Sequence, residues 1–230
     1  GQIDSSSRKS INGSYRLSGV TEVAEHLPIK TLIDRNFPDY DFPLDLKTFY
    51  KTDATFINYI TFIKEQKNNY GLRVQALTAG SKNQITLKLQ PDKFRNFSVR
   101  NVKANEKIWS GKGSETFEYQ FQRPLIKEDD FENALTLALK ISYGSFDYYT
   151  GGDLTGLTQW GDFDLETPVA KVVGKVEALA LNHHGYYDAS SDFFLQTLSP
   201  SVIVHQVIHD PHYQADVLKR LSAYPFHVFT

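Results

Sequence analysis

The stretch FDYYTGGD, residues Phe146–Asp153, and the later stretch ALALNHHG, residues Ala178–Gly185, indicate the fold more strongly than any other part of the sequence. Each begins with a run of apolar and aromatic residues that is typical of a strand, and each ends in a polar cluster beside glycine. Proteins of the α/β class commonly place metal and substrate groups at the ends of strands. We therefore expect Asp153 and the pair His183-His184 to lie at neighbouring strand ends and to face one cleft.

The side chains at these strand ends suit a metal site, and simpler roles are also open to them. The chain has no cysteine, so imidazole is the expected zinc ligand. If the strand continues through His183 and His184, their rings point to opposite faces, and only one can face the site directly. His184 is slightly favoured because Gly185 allows close approach. The simpler alternatives are a turn or N-cap role for Asp153 and a pair of hydrogen-bonded structural histidines.

The order YGSFDYYTGGDL, VEALALNHHGYYDASSDFFLQTLSPSVIVHQV and HYQADVLKRL resembles the C-terminal half of metallo-β-lactamase-fold hydrolases. It is most similar to the soluble hydrolase domain of bacterial competence DNA-uptake channel proteins. The resemblance covers roughly residues 130–225. It implies an αββα sandwich within the α/β (α+β) class, with the N-terminal part of that fold missing from this chain.

The resemblance also implies a reaction. Asp153 would bridge two zinc ions, and a histidine of the HHG cluster, His184 or His183, would be a ligand. A zinc-bound hydroxide would cut a phosphoester or phosphodiester in a small-molecule or nucleotide-like substrate, with Asp153 and His184 as catalytic residues. The family's main metal motif, HxHxDH, is not found, and His26 is the only histidine before His183. Because a catalytic zinc typically has about three protein ligands, we expect this chain alone to bind little zinc and to be nearly inactive.

A third histidine cluster lies in VHQVIHDPH and contains His205, His209 and His212. On a strand, His205 and His209 share a face. We expect these histidines, together with Tyr186 after the HHG cluster, to contact the substrate. The alternative for each histidine is a structural or supporting role.

Composition describes a folded protein, with 40% hydrophobic and 23% charged residues. The net charge of −2 indicates no strongly basic surface for nucleic-acid binding. No apolar run approaches the ~20 residues needed to cross a membrane, and no targeting signal is present. The compartment, cytoplasmic or periplasmic, and the oligomeric state stay open. The absence of methionine and the initial Gly1 predict a processed or cleaved fragment.

The polar residues 1–14 predict a flexible N-terminal segment, and residues 15–230 a single metallo-β-lactamase-like domain. Hydrophobic periodicity predicts helices at Thr21–His26, Thr52–Gln66, Val169–Val176, Ser191–Leu198 and Tyr213–Tyr224. Strands are predicted at Ile29–Ile33, Gly71–Leu77, Gln84–Leu89, Phe97–Val102, Glu115–Gln122 and Val202–Ile208, the second to fourth of them as an antiparallel meander. A hairpin is predicted from Ala134–Ile141 and Ser145–Thr150. The acidic group Asp162, Asp164 and Glu166 is expected to lie in a solvated loop.

A function of another class also fits the sequence. A domain that keeps this fold without its metal could serve as a non-catalytic binding or assembly module. The missing HxHxDH motif is the feature that favours this alternative.

Overall fold

The computed structural model describes residues 3–4, 6–122, 131–160, 163–207 and 215–229 of the chain. Contacts within the chain divide it into two compact units, Gly1–Ala76 and Leu77–Thr230, which are here called the first and second unit. The prediction of a single domain over residues 15–230 stays a prediction. As the composition predicts, no helix among the described residues is long and apolar enough to cross a membrane.

The first unit is a strand–helix–strand arrangement preceded by a short helix. Strands β1 (Thr31–Asp34) and β2 (Arg73–Ala76) pair in parallel. Helices α2 (Leu46–Phe49) and α3 (Ala54–Tyr70) lie between them in the chain, and α1 (Val20–His26) precedes β1. Two parallel strands need a crossover connection of a dozen or more residues, which these helices provide.

Helix α3 has a side-chain cap at its start and a glycine at its end. The Asp53 carboxylate accepts a hydrogen bond of 2.6 Å from the backbone N–H of Phe56, which satisfies a donor of the first turn. Gly71 ends the helix in the left-handed conformation (φ 71°), and its N–H donates to the carbonyl of Gln66. The helix predicted at Thr52–Gln66 is therefore confirmed, and it continues for one further turn.

The antiparallel meander predicted in this part of the chain is wrong. Strand β2 pairs with β1, and residues 84–89 do not form a strand. Instead, the side-chain oxygen of Gln84 accepts hydrogen bonds from the backbone N–H of Thr78 (2.8 Å) and the Nδ2 of Asn101 (2.7 Å). A polar side chain that bonds locally in this way offers the backbone an alternative to a strand ladder.

The predicted flexible start contains a short hairpin-like turn. The backbone N–H of Ser10 donates to the carbonyl of Tyr15, and that of Leu17 donates to the carbonyl of Arg8, both at 2.8 Å. The Tyr15 ring is buried and meets the ring of Phe62 on α3 edge to face, with 5.2 Å between the centroids. Burial of Tyr15 thus anchors the end of this turn, and the flexibility predicted for residues 1–14 stays a prediction.

The second unit is built on one mixed sheet. Within the described residues its eight strands are β3 (Phe97–Ala104), β4 (Lys107–Trp109), β5 (Thr116–Glu118), β6 (Ala138–Tyr143), β7 (Phe146–Thr150), β8 (Ala178–Ala180), β9 (Val202–Val204) and β10 (His227–Phe229). They lie in the order β10-β9-β8-β7-β6-β3-β4-β5. Strands β7 to β10 run parallel to one another, whereas β7, β6, β3, β4 and β5 alternate in direction. The predicted β6–β7 hairpin is confirmed.

Helices accompany this sheet in the described part of the unit: α4 (Phe131–Ala134), α5 (Glu166–Val173), α6 (Asp192–Leu198) and α7 (Ala215–Ser222). The side chain of Ser191 caps α6 by accepting a hydrogen bond from the backbone N–H of Phe194 (3.3 Å), as predicted. The mixture of helices and strands confirms the α+β class. The αββα sandwich that the resemblance implies stays a prediction.

A buried apolar cluster joins the sheet of the second unit to α5, α6 and α7. Tyr149 on β7 and Phe194 on α6 are fully buried, and their ring centroids lie 5.4 Å apart. Leu179 on β8 and Val169 on α5 are equally buried. Full burial of an apolar side chain of this size contributes about 1.5–3 kcal/mol. The strands that lead to Asp153 and to the HHG cluster are therefore anchored in this buried cluster.

A lysine, Lys103 on β3, lies within the protein with none of its surface exposed. Its ammonium donates to the backbone carbonyls of Asn105 (2.7 Å), Ala134 (2.8 Å) and Thr136 (3.1 Å). An ammonium has three donors, so these carbonyls match its capacity. Lys103 thereby fastens the segment that follows α4 to the sheet.

We expect Lys103→Met to lower the free energy of unfolding by about 2–4 kcal/mol, because one buried and two partly buried carbonyls lose their charged donor. Urea unfolding followed by circular dichroism measures the change. Lys107→Met, at an exposed lysine on β4, is the matched control and should shift the stability by less than about 0.5 kcal/mol. A Lys103→Met protein as stable as the wild type would contradict this prediction, since burying the ammonium would then cost as much as its hydrogen bonds contribute.

Candidate functional site

Strand β7 leads to Asp153 through two glycines. Because β7 and β8 are parallel neighbours, their carboxyl ends meet at the same edge of the sheet. Gly152 has a φ of 56°, and a Cβ at this position would collide with the hydroxyl of Thr136. Position 152 therefore requires glycine, because the backbone runs close to Thr136. Asp153 follows at once, with 41% of its side chain exposed.

The HHG cluster does not continue strand β8. Asn182–Gly185 form a 3-10 turn in which His183 (φ 46°) and His184 (φ 55°) are both left-handed. The backbone N–H of His183 donates to the carbonyl of Gly152 (2.9 Å), and that of Tyr186 donates to the carbonyl of His183 (2.8 Å). The prediction of a strand that points the two rings to opposite faces is wrong, because these turn hydrogen bonds replace a strand ladder.

His184 lies against Asp153. Its Nε2 is 3.3 Å from the Oδ1 of Asp153, and its Nδ1 is 3.0 Å from the backbone carbonyl of Gln206. Because a carbonyl only accepts hydrogen bonds, Nδ1 carries a proton, and in the neutral ring Nε2 bears the lone pair. A nitrogen lone pair and a carboxylate oxygen at this distance repel unless a proton or a metal cation is shared between them.

His183 is oriented by other partners. Its Nδ1 lies 2.8 and 2.9 Å from the two carboxylate oxygens of Asp188, a side chain that is 6% exposed. Its Nε2 lies 3.4 Å from the Nδ2 of Asn133, and the Tyr186 ring centroid lies 5.2 Å from its own. A carboxylate that holds the Nδ1–H of a histidine fixes the tautomer, an arrangement that commonly supports metal-ligating imidazoles.

His205 lies beneath the HHG turn. It is 1% exposed, and its Nε2 donates to the backbone carbonyl of His184 at 2.9 Å. A side chain in this position supports the turn, as the alternative structural role predicts, and the substrate contact predicted for His205 stays a prediction. His209 and His212 lie outside the described residues, and the substrate contacts predicted for them stay predictions.

Glu166, expected in a solvated loop, is a fully buried carboxylate in the first turn of α5. Its Oε1 accepts from the Nδ2 of Asn182 (2.8 Å) and the N–H of Ser190 (2.6 Å), and its Oε2 accepts from the N–H of Ser191 (2.7 Å). Burial raises the pKa of Glu166 above its ordinary value of 4.5, although the hydrogen bonds from Asn182 and Ser191 act to lower it. Glu166 therefore ties the HHG turn to the start of α6.

The donor atoms at this edge are of the types that bind zinc, but there are too few of them for a complete zinc site. The imidazole of His184 and the carboxylate of Asp153 are both zinc-type ligands. In the part of the chain that the structure describes, no group of three or more His, Cys, Asp or Glu side chains is placed to hold a metal ion. Since a catalytic zinc typically has about three protein ligands, these residues fit part of a zinc site.

The sequence matches no protein-family model and no curated protein. The resemblance of the quoted motifs to metallo-β-lactamase-fold hydrolases therefore stays a prediction.

The raised pKa of Glu166 predicts how its contribution to stability changes with pH. The folded protein binds this proton more tightly than the unfolded chain, so the contribution falls as the pH rises from about 4.5 through the folded pKa. We therefore expect the difference in unfolding free energy between the wild type and Glu166→Gln to increase as the pH falls from 7 towards 4.5. Urea unfolding at a series of pH values measures this difference, in which the other titrating groups cancel.

The glutamine variant should also be less stable at pH 7, by about 1–3 kcal/mol, because its amide NH2 must face one of three donors. Asp164→Asn is a control within the same acidic stretch, and its stability difference should not follow this pH dependence. A wild-type minus Glu166→Gln difference that is constant between pH 4.5 and 7 would contradict the raised pKa.

Proposed function

We propose that this chain carries part of the active site of a metal-dependent hydrolase of the metallo-β-lactamase superfamily, acting on a phosphoester or phosphodiester. The observation that carries the proposal is the 3.3 Å approach of His184 Nε2 to Asp153 Oδ1. With the Nδ1 of His184 directed at the Gln206 carbonyl, this approach places the lone pair of the neutral ring beside a carboxylate, and the two groups must share a proton or a cation. A shared divalent cation would relieve the repulsion and would use both groups as ligands.

The residues of the chain have distinct roles in this proposal. Asp153 and His184 would hold zinc, which when bound supplies a Lewis acid that polarises the scissile group and makes water more acidic. Asp188 fixes the His183 tautomer, and the Nε2 of that ring lies 3.4 Å from the Nδ2 of Asn133. Tyr186 packs on His183 and forms a wall beside it. The resemblance also implies a second zinc ion. The further ligands for both ions would come from outside the described residues.

The proposed substrate class depends on fewer observations than the proposed metal ligands do. The quoted motifs resemble those of hydrolases that cut phosphodiesters, and the exposed Asp153 and His184 side chains, 41% and 26% accessible, leave the site open to solvent. A small or extended ester could therefore approach this edge. Small-molecule and nucleotide-like esters both remain within the proposal.

One observation favours the second candidate, a non-catalytic binding or assembly module. Among the described residues only a partial ligand set is present. A chain that lost the other ligands would keep the strands and the HHG turn, because backbone hydrogen bonds and buried side chains hold them. The two candidates differ in zinc affinity and in turnover.

We expect the purified chain to contain well under one zinc per molecule, because two ligands hold zinc weakly. Added zinc should nevertheless bind at the Asp153–His184 edge, which isothermal titration calorimetry and histidine NMR signals can measure. Asp153→Asn or His184→Gln should lower the affinity at least about tenfold, since even loss of a supporting partner typically costs 10–100-fold. Asp216→Asn, at an exposed aspartate on α7, is the matched control. Equal zinc binding by all four proteins would contradict the proposed site.

We expect catalysis only where the ligand set is complete. If the gene encodes an HxHxDH motif ahead of Gly1, the longer protein should hydrolyse bis-p-nitrophenyl phosphate in a zinc-dependent manner. Asp153→Asn should then lower turnover by orders of magnitude, because the amide loses the charge that helps to hold the cations. Asp216→Asn should keep full turnover. Zinc-loaded longer protein whose turnover is insensitive to Asp153→Asn would exclude the proposed role, and tight zinc binding without turnover on any ester would favour the binding module.

A further inference from the structure

The first unit contains a cavity of about 290 Å³ that takes no part in the proposed metal site. It lies among the hairpin-like turn, the end of α1, the residues before β1 and the last turn of α3. Its size is at the lower end of the range for pockets that bind small organic groups. The chemistry of its lining therefore indicates what it could hold.

The base of the cavity is a chain of hydrogen bonds that ends on a carboxylate. Gln66 Nε2 donates to the Tyr15 hydroxyl (3.1 Å), which donates to Glu25 Oε1 (3.2 Å). The backbone N–H of Ile11 donates to Glu25 Oε2 (3.4 Å). Gln66 and Tyr15 are buried, at 8% and 5% exposed. Since a carboxylate offers about four lone-pair positions, the two oxygens of Glu25 keep capacity for further donors.

The electrostatic setting of the cavity favours a cation. Glu25 contributes a negative charge to the wall. Gln66 and Tyr70 belong to the last turn of α3, a helix of 17 residues, and this turn is the negative end of the helix dipole. His26 and Lys30 are the basic side chains that line the cavity, and the charge of Lys30 would oppose a bound cation. Lys30 lies at the exposed edge and has a flexible side chain that can turn away into solvent.

The rim of the cavity is apolar and unusually exposed. Ile11 is 94% exposed, Leu27 is 63% exposed and Tyr70 is 57% exposed, and all three line the cavity. Large apolar side chains that surround a polar base are typical of a site for a ligand with a polar tip and an apolar body. The Tyr70 ring also offers an aromatic face, which attracts ammonium groups.

We propose that this cavity binds a primary ammonium group carried on a short apolar stem, either in a free amine or in the lysine side chain of a peptide. The ammonium donates to Glu25, where a charge-assisted hydrogen bond is stronger than a neutral one. The stem lies against Ile11, Leu27 and Tyr70. This inference is independent of the hydrolase proposal, since it uses residues of the first unit only.

NMR titration of the ¹⁵N-labelled chain tests the ligand class. Phenethylamine should shift the backbone amide signals of Ile11, Glu25 and Tyr70 in a saturable manner. Its neutral counterpart 2-phenylethanol should bind at least about tenfold more weakly, because it forms no charged hydrogen bond. Nα-acetyl-lysine methylamide distinguishes the source: binding tighter than that of phenethylamine indicates a peptide, and weaker binding indicates a free amine. Equal binding of the amine and the alcohol would overturn the proposal, as would shifts confined to other parts of the chain.

Variants in the cavity test the role of each charge. Glu25→Gln keeps the shape and an acceptor oxygen but removes the charge, so it should weaken phenethylamine binding by about 10- to 100-fold. Glu22→Gln, one turn earlier on α1 and paired with Arg8 at 2.7 Å, is the matched control and should leave binding unchanged. Equal losses in both variants would overturn the proposal.

Lys30→Gln gives a test that does not depend on Glu25→Gln being folded. Removal of the opposing charge at an exposed position should tighten binding by about two- to fivefold. Lys51→Gln, at another exposed lysine of the first unit outside the cavity, should have no effect. Weaker phenethylamine binding in Lys30→Gln would mean that Lys30 does not oppose the charge of the ligand, which contradicts the proposal.

Discussion

The backbone hydrogen bond from His183 to the carbonyl of Gly152, 2.9 Å long, is the constraint on which the candidate site depends. It joins the turn that follows β7 to the turn that follows β8, two strands that are already parallel neighbours. With these turns joined, Asp153 and His184 come within 3.3 Å of each other. The site is thus positioned by main chain, and the side chains that carry the chemistry are attached to a frame that does not depend on them.

Buried polar groups support this backbone arrangement from the interior of the unit. Glu166 accepts hydrogen bonds from the HHG turn and from the start of α6, and His205 supports the turn from below. Lys103 fastens the segment that contains Thr136, and Gly152 passes directly over the hydroxyl of that threonine. Each of these buried groups is hydrogen-bonded, as polar groups must be when they leave water. Their shared effect is to make the geometry of the sheet edge stiff.

The sequence predicted the features that depend on local patterns. The α+β class, the β6–β7 hairpin and the Ser191 cap of α6 all follow from periodicity and from the residues that start and end elements. The sequence also indicated Asp153 and the HHG cluster as one site. The left-handed turn at His183 and His184 was missed because neither residue favours that conformation by itself, and only the bond to Gly152 imposes it. Glu166 was misjudged because a glutamate within an acidic polar stretch is usually solvated, and its burial depends on the distant Ser190 and Ser191. Parallel pairing of β1 and β2 likewise depends on a long-range contact that no local pattern specifies.

The two consecutive left-handed histidines have a consequence for how this protein can change. A side chain with a positive φ is less favourable than glycine at the same position, by an amount on the order of 1 kcal/mol. Glycine or asparagine would relieve this backbone strain at either position, but at position 183 the substitution would also remove the ring that holds the nearly buried Asp188 carboxylate. The strands of the sheet contain neither histidine, so a variant without both rings would keep the same sheet order. The two neighbouring histidines therefore differ in how easily the chain can lose them under selection for folding alone.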